Sequence, residues 1–176
     1  MRTVVLGERP IELDALIRHR AVIGADTHDE VWEGEYHMAP APNGAHAALE
    51  AELAVVLSPL AKRAGLFSRG ALNLGNLNDY RVPDWSLLRH PESLTWYETA
   101  ALVVENVSPG DESWQKFMFY AAHEVDEVVI VEPRDRSVRW FRREGREYEP
   151  VEHSSLLDIS VADVVGQIDW PPPVAD

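Results

Sequence analysis

Cysteine is absent from this chain, which excludes a disulfide framework and any thiolate metal site. Lysine is almost absent: of 16 basic residues only Lys62 and Lys116 are lysines, so the location of each carries weight. Positive charge is scarce overall. Sixteen basic residues face 30 acidic ones, for a net charge of −14. That opposes broad, nonspecific nucleic-acid binding, which rests on Lys and Arg against phosphates. A locally basic cleft remains compatible with it, because the shape of the field matters more than the sum. No apolar run approaches the roughly 20 residues of a membrane span. The opening "MRTVVLGERP" turns polar too early for a signal peptide. The expectation is a soluble, cytoplasmic protein with no membrane partner.

What is present is enough apolar residue for a core, 45% of 176 residues. That length fits one domain over 1–176, with a core at about 30–165, an N-terminal helix within 1–25 and a tail at 169–176. Ile11, Leu13, Leu16 and Ile17 recur at helical spacing after Pro10 and predict an amphipathic helix over 10–22. "VWEGEYHM" alternates and reads as one strand with a glycine inside. Asn43 caps a long helix ending near Gly65, which Ser58-Pro59 should kink or divide. Residues 70–74 and 82–88 read as strands around the polar link "GNLNDYR". "ALVVE" is a strand covered on both faces. A helix from about Glu112 to His123 follows, then a strand at "DEVVIVE", a meander, and a short strand with one or two helical turns. The class is α/β, with a central mixed β-sheet flanked by helices.

Two acids sit where apolar strands end. Asp84 heads "WSLL" and Glu105 closes "ALVV". If the two strands run antiparallel, the carboxylates meet. Two convergent carboxylates favour a hard divalent cation such as Mg²⁺ or Mn²⁺, which can activate water and offset charge on phosphate. The bland reading of Asp84 is a turn residue after proline. Glu105 is harder to dismiss, since a Glu ending a buried strand is costly unless paired or bound.

"WEGEYHMAPAPNGAH", "YRVPDWSLL", "ALVVENVSPG" and "KFMFYAAHEVDEVVIVEPRDRSVRWF" follow in order, and together they resemble the putative restriction endonuclease family with a PD-(D/E)XK nuclease-like core. The resemblance implies a restriction-endonuclease-like fold and a Mg²⁺-dependent endonuclease site, with Asp84 and Glu105 as the motif acids and DNA as a partner. The lysine usual two residues after the Glu is replaced by Val107, and the resemblance assigns that role to Lys116 on the following helix. The stretch from Glu105 to Lys116 is shorter than is common in the family by about one helical turn, which bears on whether Lys116 reaches a phosphate. Its bland reading is a solvated helix residue, with Phe117, Phe119 and Tyr120 as the packing face.

Glu35 and His46 also match the family pattern. Glu35 would be a third metal carboxylate; otherwise it is an exposed strand residue. His46 shares a helical face with Glu50; otherwise it is a first-turn helix residue bonded to a nearby loop. Six arginines lie between Arg134 and Arg146. They would line a duplex or, on the bland reading, charge an edge strand against aggregation. Trp114 and Trp170 suit a homodimer interface. Two rivals stand beside the nuclease. One is a catalytically inactive domain on the same fold that pairs with itself or a partner. The other is a metal-dependent hydrolase of something other than DNA.

Overall fold

The structure is a computed structural model of the chain and describes residues 3–5, 11–108 and 112–172. The described elements run β1 (Thr3–Val5), α1 (Ile11–Ile23), β2 (Glu30–Trp32), β3 (Glu35–Met38), α2 (Gly44–Arg63), β4 (Phe67–Arg69), β5 (Asn73–Asn76), β6 (Asp79–Arg81), β7 (Trp85–Leu88), β8 (Trp96–Tyr97) and β9 (Leu102–Asn106). A 3₁₀ turn (Ser113–Lys116) then leads into α3 (Phe117–Ala122), β10 (Glu127–Glu132), β11 (Ser137–Glu144), β12 (Glu147–Val151), β13 (His153–Ser154), β14 (Ile159–Ser160) and α4 (Val161–Gln167).

Among the described residues there are two six-stranded sheets, ordered β1-β3-β2-β6-β5-β8 and β12-β11-β10-β9-β7-β4. The second holds the core. Its middle strand, β9, is parallel to β10 and antiparallel to β7. The β9–β10 connection carries the 3₁₀ turn and α3, as a parallel crossover requires. Every residue of β9 is buried. On one face Trp85, Leu102, Val104 and Val129 pack with Leu49, Leu53 and Leu57 of α2 and Val164 of α4. On the other, Val103, Val128 and Ile130 meet Phe119, Tyr120 and Leu74, the last from the first sheet. Covering on both faces is what the unbroken apolar "ALVV" demands.

The local chemistry of α2 explains its length. Asn43 accepts a hydrogen bond from the backbone N–H of His46, so the helix start is capped. The helix runs undivided through Pro59. The bond that proline removes would go to the carbonyl of Val55, a residue 67% exposed, where water can replace the donor.

Two expectations change. Residues 31–38 are a hairpin, because Glu33 and Gly34 both take positive φ, 50° and 90°, the geometry of a tight two-residue turn. The polar link after Gly70 is itself the β5–β6 hairpin, and its turn is fixed by the Asn78 N–H donating to Asn76 Oδ1 at 3.0 Å. Helix α1 forms as expected, yet none of its residues is buried. Leu13 and Ile17 touch a small cluster of Val31, Tyr36 and Met38, and Arg20 clamps the helix to buried Asp29 at 2.6 and 2.8 Å.

Candidate functional site

The register Trp85↔Val104 carries Asp84 and Glu105 to the same end of the β7–β9 pair. There the Asp84 N–H donates to Val104 O at 3.1 Å, and the Asn106 N–H donates to Asp84 Oδ2 at 2.6 Å. The antiparallel pairing assumed from the sequence therefore holds. Glu105 is 3% exposed. Lys116 Nζ donates to both of its carboxylate oxygens, at 2.9 and 2.8 Å, and Tyr120 donates to Oε1. Lys116 itself is only 5% exposed, so it is not the solvated helix residue of the bland reading. The shortened connection does not remove it from the acids. The 3₁₀ turn delivers it directly over Glu105.

A third carboxylate joins this cluster, and it is Glu30. Its Oε1 lies 2.8 Å from Lys116 Nζ. It also accepts from the Val82 N–H at 2.9 Å and from Trp32 Nε1 at 2.7 Å. Glu30 thus ties the first sheet to the end of the second that carries Asp84 and Glu105. The charges are unequal: Glu30 and Glu105 share one ammonium, with Asp84 close enough to act on Glu105. Burial raises the Glu105 carboxyl above its ordinary value, Lys116 offsets part of that rise, and the nearby Asp84 and Glu30 add to it. Burial alone would lower Lys116, but Glu105 and Glu30 outweigh it and hold the ammonium firmly protonated. Burial, followed by Glu105, raises Tyr120 as well, so its hydroxyl stays a donor.

Around Asp84 a second set of groups converges from α2. His46 Nε2 lies 3.2 Å from Asp84 Oδ1 and 3.0 Å from Glu50 Oε1. Ligand atoms of His46, Glu50 and Asp84 all fall within 4.8 Å of one another. Hydrogen bonds to Asp84 and then Glu50 raise the imidazole to about 10, so without a metal cation the ring is an imidazolium bridging two acids. Helical geometry gives this pair: positions 46 and 50 are one turn apart, and the Asn43 cap fixes that turn.

Glu35 stands elsewhere. It is exposed on β3, and it lines a groove of about 790 Å³ with Trp32, His37, Arg81 and Glu112. Because the chain doubles back at Glu33-Gly34, it is Glu30 on the preceding strand that reaches Lys116. The Glu-Gly pair between two short apolar runs was the signal for that hairpin. Tyr120, one turn after Lys116, reads as packing and also serves as a donor. The arginines divide. Arg143 pairs with Asp126 and Arg142 with Glu144, while Arg139 lies over the Trp114 ring at 5.4 Å. Trp170 packs against the α2–α4 core and donates to Val165 O at 3.3 Å.

Comparison with known proteins fits this geometry. A family model described as "Putative restriction endonuclease" (Uma2) matches residues 13–170. The fold is similar to the crystal structure of a putative nuclease belonging to DUF820 from Anabaena variabilis, with a TM-score of 0.65 and 19% identity over 79% of this chain and 90% of that chain. A search of curated proteins finds no match. The mixed sheet flanked by helices is therefore a nuclease-like fold.

Proposed function

The chain belongs to the family described as "Putative restriction endonuclease", and from that premise we propose that it is a divalent-cation-dependent nuclease hydrolysing phosphodiester bonds, with DNA as its expected substrate. The observation that supports this best is the pairing of Lys116 Nζ with both oxygens of Glu105, at 2.9 and 2.8 Å, at the sheet end that also carries Asp84. Asp84 and Glu105 would hold Mg²⁺ or Mn²⁺, whose preference for carboxylate oxygen suits this donor set. When bound, such a cation activates water and offsets charge developing on phosphate.

The chain's own residues do the rest. The Asn106 N–H orients Asp84. Tyr120 and Lys116 fix the Glu105 carboxylate, and Lys116 presents its ammonium to the attacking water or the phosphate. In this reading Glu30 takes the third-carboxylate role that the sequence suggested for Glu35, with the difference that it holds Lys116. Incubation of the protein with single- and double-stranded DNA and RNA in Mg²⁺ or Mn²⁺ tests the proposal. Cleavage should occur, and it should be lost in Asp84→Asn. A second reading, a catalytically inactive domain that forms a homodimer or binds a partner, is favoured by the net charge of −14 and by Trp114, 43% exposed. Its signature is cation binding with no cleavage of any of these substrates.

A further inference from the structure

The carboxylate pair of the nuclease reading leaves three features unused: His46, Glu50 and the side chain of Asn106. His46 and Glu50 lie on the capped first turns of α2 and point their ligand atoms at Asp84 Oδ1, within 4.8 Å of one another. One imidazole nitrogen cannot serve two carboxylates with one proton. Nε2 sits 3.2 Å from Asp84 Oδ1 and 3.0 Å from Glu50 Oε1, so the two acids compete for it. Independently, Asn106 is 2% exposed, and both polar atoms of its side chain lack partners. Asn106 alternates with Glu105, so its side chain belongs to the face of β9 that Val104 presents to α2. A buried amide left unpaired is costly. An orphaned amide on the α2 side of the strand end is what a cation's bound water would satisfy. On the opposite face, Lys116 already supplies a cation to Glu105 and Glu30.

We propose that His46, Glu50 and Asp84 form a nitrogen-and-oxygen metal site that selects a first-row transition dication, with Mn²⁺ at its hard end, over Mg²⁺. The inference deepens the nuclease reading and rests on it. Mg²⁺ is held by carboxylates and water, whereas imidazole nitrogen suits transition metals. Asp84 is common to this site and to the Asp84–Glu105 pair, so His46 and Glu50 add their ligand atoms to the shell of the one dication bound per chain.

The probe is Mn²⁺ alone, added to the full chain and followed by calorimetry and by electron spin-echo envelope modulation. Wild type should bind one Mn²⁺ and show nitrogen modulation from a directly bound imidazole. His46→Gln should lose the modulation and weaken Mn²⁺ at least about tenfold, while Mg²⁺ affinity changes less than about threefold. Glu50→Gln should weaken Mn²⁺ and keep the modulation, which supplies a second arm should His46→Gln fold poorly. If wild type binds Mn²⁺ without nitrogen modulation, or if His46→Gln binds both ions as wild type does, His46 is a structural bridge only and the inference is overturned. In that outcome, loss of binding in Asp84→Asn would leave the nuclease reading standing. If wild type binds neither ion, both readings fall together.

Discussion

Lys116 is a buried cation whose removal uncovers two buried anions, Glu30 and Glu105. Breaking such a cluster from one side costs about 3–5 kcal/mol. Lys116→Ala should therefore lower stability by about that much in urea unfolding, with a smaller loss in a Glu105→Gln background, where one anion is already gone. Lost activity in Lys116→Ala alone consequently says little about chemistry, because folding falls with it. Glu127 offers the contrast. It is just as buried, but neutral donors hold it: Trp140 Nε1 at 2.7 Å, Ser154 Oγ at 2.6 Å and the Ser155 N–H at 3.1 Å. A buried acid held by hydroxyls and amides is a structural pin. A buried acid held by a lysine, with another acid beside it, is chemistry in waiting. The positions of Asp84 and Glu105 were legible because each stands at or beside a strand end, next to an apolar run whose burial is certain, whereas Lys116 came from the family resemblance, since a lysine on a helix reads by itself as solvated. Glu30 was not legible, because its role depends on a turn at Glu33-Gly34 that an alternating pattern conceals.

Elements position the site through their ends, and their ends can be tested. Gly75 holds φ 118°, and a Cβ there would lie 2.3 Å from the Asp79 carbonyl oxygen. Gly75→Ala should cost at least about 1–3 kcal/mol by disrupting the β5–β6 hairpin, as a lowered thermal midpoint. Asn43→Ala should cost about 1 kcal/mol by uncapping α2. Because the fraying turn carries His46, cation affinity should fall in the same variant. Val104→Asp would place an unpaired charge at a fully buried position in β9 and should unfold the protein, as seen by circular dichroism. The central strand and the helices α1 and α2 before it were readable from periodicity and capping. The first sheet was not. Its strands β5 and β6 have four and three residues, lie largely in a polar stretch, and are fixed by pairing rather than by their own pattern.

Over the whole molecule, topology sorts the arginines that a linear view groups together. Strands β9 and β10 are parallel, with Val131 opposite Asn106, so the turn after β10 lies at the same sheet end as Asp84 and Glu105. Arg134 and Arg136, exposed in that turn, share the end of Asp84 and Glu105, whereas Arg142 pairs across from Glu127 at the other. With a net charge of −14, nucleic-acid affinity must come from such local placement. Replacing Arg134 and Arg136 by Ala should weaken DNA binding and flatten its salt dependence by about 2 in log–log slope, while replacing Arg142 and Arg146 should leave the slope unchanged. The central claim is tested most directly by single-turnover cleavage of an end-labelled DNA duplex and single strand in Mn²⁺, comparing wild type with Asp84→Asn. The account predicts cation-dependent cleavage in the wild type and a rate at least about 100-fold lower in the variant. No cleavage by cation-loaded wild type, or equal rates in the two proteins, would contradict it.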